Sequence, residues 1–141
     1  MGKYVVYALG LVLMFAPRVR ADVTLTNGAS AADFGTAVSD TISAGGGTIL
    51  LTAPIVISDD ELFNGESHVT VSGGNTNPIF VVESGHLTLL NMKLVNGFGR
   101  MGGAIFVDTN GVVTLTNCVF SNNNVRGTNG DSAVSNTNAS I

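Results

Sequence analysis

The sequence is poor in the residues that most chemistry needs. Its 141 residues include no tryptophan, one cysteine, two histidines and three prolines, and only 11% are charged. The lone Cys118 cannot staple the chain to itself, and beside an apolar repeat position it reads as a buried small hydrophobe rather than a reactive thiol. Basic residues are scarcer than their total of six suggests, because Lys3, Arg18 and Arg20 all precede residue 22. Lys93, Arg100 and Arg126 then face ten acidic residues, a formal charge of −7. Three positive charges cannot make a track that releases counterions from phosphates, which excludes nucleic acid as the partner. Long apolar runs are missing too. Tyr4 to Ala16 is about 13 residues, broken by Gly10, against roughly 20 needed to span a bilayer.

That run follows Lys3, and after it Val19-Arg20-Ala21 supplies small residues, Val19 and Ala21, at the positions a signal peptidase reads. Residues 1–21 read as a secretory signal cleaved after Ala21. The competing reading, an uncleaved anchor, is opposed by Pro17, Arg18, Arg20 and the short run. No later segment could span a membrane. The remaining 120 or so residues, acidic and rich in Gly, Asn, Ser and Thr, suit one exported or surface domain.

What the sequence does have is repetition. G-H-L-T-L-L-N-M-K-L-V-N-G from Gly85 is answered by G-V-V-T-L-T-N-C-V-F-S-N-N from Gly111, an offset of 26 residues. Leu87/Leu89 and Val113/Leu115 alternate with Thr88, Thr114 and Thr116, the period of a strand with one buried face. The runs are short, separated by Gly and Asn, and leave no room for a crossover helix. A chain that returns every 25 or so residues in this way is expected to coil as a parallel β-solenoid. Asn91 and Asn117 would share a turn position, stacking side chain on side chain in the left-handed backbone that Asn tolerates. Val69/Val71 are candidates to stack under Leu87/Leu89, although a spacing of 18 is short for one coil. Ser30 to Ala44 alone carries helical spacing, with Phe34, Ala37, Val38, Thr41 and Ile42 on one face. It has a capping-box start at Ser30 and Asp33 and a Gly45-Gly46-Gly47 stop. The expected organisation is a cap over residues 22–47 and coils over residues 48–141, with the helix covering the first open coil.

Gly102-Gly103-Ala104-Ile105 and Phe120-Ser121-Asn122-Asn123 resemble the GGA[I/V/L] and FxxN tetrapeptides of the polymorphic outer-membrane protein repeat. Residues 45–123 also resemble pectate-lyase-like proteins. Leu94-Val95-Asn96-Gly97 and Asp131-Ser132-Ala133-Val134 are worn copies of the two motifs. The resemblance implies an all-β, right-handed parallel β-helix with a short N-terminal capping helix. It also implies a secreted or outer-membrane-associated protein acting as a structural or adhesive passenger. Ala133 to Ile141 aligns with Ala104 to Val112 at an offset of 29 and then stops. The expectation is a solenoid truncated inside a coil, able to self-associate through that open end.

Chemistry-bearing clusters are few. Asp59-Asp60-Glu61 is the one acidic run; oxygen ligands in a turn suit Ca²⁺, but strand alternation splits the three between faces, so it reads as a solvated turn. His68 and His86 read as exposed turn residues rather than a metal pair. Arg100 and Arg126 share the 26-residue offset and could form a two-step basic ladder. Thr70, Thr88 and Thr114 could form an outward threonine column of the kind that orders water, with Leu90 interrupting it. No catalytic, metal or cofactor-binding residue is singled out, and no cofactor is expected. Three functions follow: a passenger presenting a surface to a carbohydrate or a cell-surface protein; the front part of a polysaccharide-degrading enzyme whose active site lies downstream; or an inactive remnant.

Overall fold

The computed structural model describes residues 21–127 and 134–140; the expected signal peptide lies outside the described residues except for Ala21. Along the chain come β1 (Ala21–Leu25), α1 (Ala31–Ser43), β2 (Gly47–Leu51), β3 (Ile55–Ile57) and β4 (Glu61–Ser72). They are followed by β5 (Phe80–Val95), β6 (Phe98–Gly99), β7 (Ile105–Thr116), β8 (Val119–Val125) and β9 (Val134–Ser140).

The 26-residue repeat becomes the rungs of a parallel sheet. Gly85 pairs with Gly111, Thr88 with Thr114, Leu89 with Leu115, and Leu94 with Phe120. One register earlier, Phe63 pairs with Leu89. Apolar residues therefore stack into inward columns such as Phe63–Leu89–Leu115 and Ile57–Val82–Val107. The fully buried members include Ile49, Leu51, Ile57, Val71, Phe80, Val82, Leu87, Leu89 and Leu94.

The right-handed β-helix expected from the repeat is not what these strands build. They form one mostly parallel sheet, open and curled into a half-barrel, and its terminal pair β8–β9 is antiparallel. Repetition at a fixed period dictates which strands lie side by side and in what register; it does not dictate that the sheet closes on itself. The departure is clearest at the C-terminal end. Val134–Ser140 turns back against β8, with Val134 beside Val125 and Ala139 beside Phe120. Over the described residues 134–140, the parallel continuation expected from the alignment of residues 133–141 with 104–112 does not form.

Asn supplies the curl. Asn91 (φ 52°), Asn96 (φ 54°), Asn117 (φ 50°) and Asn122 (φ 54°) all take the left-handed region, where Asn is the least strained residue after Gly. Asn117 Nδ2 donates to Asn91 Oδ1 at 3.1 Å, and Asn91 Nδ2 donates to Asn64 Oδ1 at 3.0 Å. The expected Asn ladder is present and one rung longer than the sequence suggested.

A second irregularity moves the early strands. In β4 the register shifts between Asn64 and Val69, where Glu66 and Ser67 also adopt positive φ. The extra residues place Val69 beside Met92 and Val71 beside Leu94, not under Leu87 and Leu89. The spacing of 18 is thus not a coil length.

The helix is capped as expected. Ser30 and Asp33 form a reciprocal capping box, and Ala44 ends the last turn. Phe34 is fully buried, with its ring edge-on to Phe63 at 4.8 Å and to Phe80 at 5.1 Å. Burying a side chain of this size is worth about 1.5–3 kcal/mol, enough to seat α1 over the mouth of β1 to β4. Thr41, on the same face, is fully buried with its hydroxyl unpartnered.

The Phe120–Asn123 tetrapeptide is bound to Leu94–Gly97, its worn copy one rung earlier. Asn123, buried, accepts from Gly97 N at 2.7 Å and donates to Leu94 O at 2.9 Å. Asn124 N donates to Gly97 O at 2.9 Å. A Cβ on Gly97 would sit 2.2 Å from Gly103 O, so this crossing admits no side chain.

Candidate functional site

Strand alternation turns Ile49, Val71 and Leu94 inward, so Thr48, Thr70 and Lys93 point to the outer face. The register sets these in a row with Asp22: Asp22 beside Thr48, Thr48 beside Thr70, Thr70 beside Lys93. At about 4.8 Å per strand the row spans about 14 Å.

Two turns wall this row. One is the Gly45–Gly47 segment after α1, the other the Ser67–His68 bulge of β4. Gly46 (φ +114°) rests on the His68 backbone, where a Cβ would come within 2.9 Å of His68 O, so the two walls meet. Between them is a cleft of about 350 Å³, lined by Asp22, Thr48, Ser67, His68, Thr70 and Lys93 together with the three glycines and Val69. Asp22 Oδ1 accepts from Thr48 N at 3.3 Å.

This lining is mostly polar. The ammonium of Lys93 donates, the carboxylate of Asp22 accepts, and Thr48, Thr70 and Ser67 do both. Its size is at the low end for ligand pockets, but its walls are polar where a typical small-molecule pocket is apolar.

The sequence did not point here. The sequence pattern sets Thr70 with Thr88 and Thr114, but the register shift in β4 moves it beside Thr48 and Lys93, and Leu62 takes the position next to Thr88. Among the described residues Thr70, Thr88 and Thr114 do not form a column. The usable signal was the outward Thr48 and Thr70 on alternating strands, and the bulge was not visible in the pattern.

The other singled-out residues are dispersed. Asp59 and Asp60 are exposed in the turn before β4. Asp60 Oδ1 accepts from His86 N at 2.9 Å, and Ser84 Oγ donates to Ser58 O at 2.7 Å, so this turn is bound to the strand one rung on. Among the described residues no three His, Cys, Asp or Glu side chains converge as metal ligands. His86 lies 2.7 Å from Thr114 Oγ1 through Nε2, while His68 lines the cleft; the structure does not bring the two together. Arg126 N donates to Gly99 O at 2.9 Å, which sets Arg100 and Arg126 on neighbouring rungs, both exposed. Cys118 is fully buried, with Sγ 3.4 Å from the carbonyls of Leu89 and Thr116. Asp33 has its carboxyl held below the usual range, first by the Ser30 backbone N–H and then by the Ser30 hydroxyl; this belongs to the helix cap.

Among the described residues no helix is long and apolar enough to cross a membrane. Comparison with family models, curated proteins and solved structures gives no match for this chain.

Proposed function

We propose that this chain is a secreted or cell-surface structural and adhesive segment that holds a carbohydrate in its outer polar cleft and carries out no catalysis. The cleft carries this reading. It offers a row of hydroxyls with a cation at one end and a carboxylate at the other, and saccharide hydroxyls pair with such groups as donors and acceptors together. A cell-surface protein partner would call for an apolar anchor at the centre of its contact, and this cleft has none of the exposed aromatic residues that supply one.

Two further features support the surface reading. The first 21 residues have the form of an export signal. The Gly102–Ile105 and Phe120–Asn123 tetrapeptides resemble a repeat of outer-membrane proteins; Asn123 binds the Leu94–Gly97 copy one rung earlier, and Gly97 is closed against Gly103.

The test is titration of residues 22–141 with neutral and uronate-bearing oligosaccharides, read by calorimetry and by amide shifts. We expect binding whose shifts cluster at Thr48, Ser67, His68, Thr70 and Lys93, with Lys93→Ala weakening the acidic ligands about tenfold, the scale of one charge-assisted hydrogen bond. Shifts elsewhere, or binding indifferent to both Lys93→Ala and Thr70→Val, would reject the cleft. Turnover of the same oligosaccharides would reject the non-catalytic reading.

A further inference from the structure

Asparagine followed by glycine is the dipeptide most prone to lose its side-chain amide, because glycine lets the main-chain nitrogen swing back onto the side-chain carbon. Four such pairs fall among the described residues: Asn27-Gly28, Asn64-Gly65, Asn96-Gly97 and Asn110-Gly111. Asn129-Gly130 lies outside them. The reaction needs a side-chain amide that is not held, a following N–H that can give up its proton, and a peptide unit free to rotate in water. The fold grants these conditions unequally.

Three of the pairs are locked. Asn64 Oδ1 accepts from Glu66 N at 3.0 Å and from Asn91 Nδ2 at 3.0 Å. Its neighbour Gly65 is buried, and a Cβ there would lie 2.8 Å from Asn91 O. Gly97 is buried too, and its N–H is bound to Asn123 Oδ1 at 2.7 Å. The Asn96 backbone is tied on both sides, its N–H donating to Ser121 O at 3.1 Å and its carbonyl accepting from Asn75 N at 2.7 Å. Asn110 and Gly111 lie inside β7 beside Ser84 and Gly85, and a Cβ on Gly111 would come within 2.7 Å of Val82 O.

Asn27-Gly28 is held by none of this. The pair forms the centre of the turn between β1 and α1, closed by Ala29 N donating to Thr26 O at 3.1 Å. Both residues are exposed, and a Cβ placed on Gly28 would meet nothing within 4 Å. Among the described residues neither the Asn27 side chain nor the Gly28 N–H makes a hydrogen bond. Gly28 has φ +92°, so the turn already depends on the conformational freedom of glycine.

We infer that Asn27 is a site of spontaneous deamidation, the one described Asn-Gly pair that reacts in the folded chain. The Gly28 nitrogen, having lost its proton to hydroxide, attacks Asn27 Cγ. The Cγ–Nδ2 bond breaks, ammonia leaves with a proton returned from water, and a five-membered succinimide closes. Water then opens that ring at either carbonyl, giving aspartate or isoaspartate. Water is the only reactant consumed. The product carries a new negative charge three residues before the Ser30 cap, at the helix end whose dipole favours anions. Aspartate leaves β1 and α1 in place, whereas isoaspartate threads an extra main-chain carbon through the Thr26–Ala29 turn.

The test is storage of the purified chain in mildly alkaline buffer, followed over time by peptide mapping with mass spectrometry and by isoelectric focusing. We expect the amide-to-acid mass change at Asn27 first, a matching acidic band, and a rate that rises with hydroxide concentration. Asn27→Gln should remove that band, because the longer side chain would have to close a six-membered ring. In urea the order should collapse, with Asn64, Asn96 and Asn110 converting as fast as Asn27, since the fold and not the dipeptide protects them. Asn27 staying intact in the folded chain under conditions where the unfolded chain converts would overturn the inference. So would conversion of any of the other three pairs at an equal rate in the folded chain.

Discussion

Leu89 and Leu115 occupy the same position of consecutive repeats, and truncating them should have very different costs. Leu89 is fully buried between Phe63 on one rung and Leu115 on the next. Leu89→Ala removes most of a side chain from a site walled on both sides and leaves a cavity, which costs about 3 kcal/mol, within the range of about 2–5 kcal/mol for such changes. Among the described residues Leu115 has a neighbouring rung on one side only and is partly exposed, so Leu115→Ala should cost roughly half as much. Total stability for a domain of this size is of the order of 5–15 kcal/mol, so the first change is a large share of it. The assay is urea unfolding followed by circular dichroism, at concentrations below any association. With a slope of about 1.5 kcal/mol per M, Leu89→Ala should lower the midpoint by about 2 M and Leu115→Ala by about 1 M. Equal shifts would refute the reasoning, because they would mean that β7 is covered as fully as β5.

Two other changes test the helix that closes the first rungs. Thr41→Val should raise stability by about 1 kcal/mol in the same unfolding assay, since it replaces a buried, unpartnered hydroxyl with a methyl of the same shape. Ser30→Ala should lower it by about 1 kcal/mol through loss of the N-cap. The cap also has a pH signature. The folded carboxyl of Asp33 titrates below its unfolded value, so its contribution is present above the unfolded carboxylate range and is lost as the pH falls through the folded value. Stability measured against pH on the acid side should therefore fall less steeply in Asp33→Asn than in the parent chain.

Much of the local structure was legible. The 26-residue offset fixed the pairing of Gly85 with Gly111 and of Leu89 with Leu115, because like residues in register bury like surfaces. The helix was marked at both ends by side chains whose capping role is local, Ser30 with Asp33 and the Gly45–Gly47 stop. The bulge in β4 was not legible. Glu66 and Ser67 give no composition signal for positive φ, yet together they move Thr70 across the sheet and so create the cleft. The course of the chain after Val125 was not legible either. A periodic sequence predicts one more parallel rung, whereas Val134–Ser140 is free to pair in either sense, and the edge of β8 takes it antiparallel. Closure of the sheet depends on such choices, which is why the repeat could be read and the half-barrel could not. Lys93 shows the same limit at the site, since its place beside Thr70 is set by register alone.

Amide hydrogen exchange along β5 and β7, at a concentration where the chain is monomeric, tests the open parallel sheet most directly. In a parallel strand successive residues direct their N–H and C=O groups to opposite neighbours. β5 has β3 and β4 on one edge and β7 and β8 on the other, so its amides of both parities should exchange slowly. β7 has only the β5 edge, and its amides should alternate between slow and fast from Ile105 to Thr116. Uniform protection along β7, matching that of β5, would contradict the open sheet.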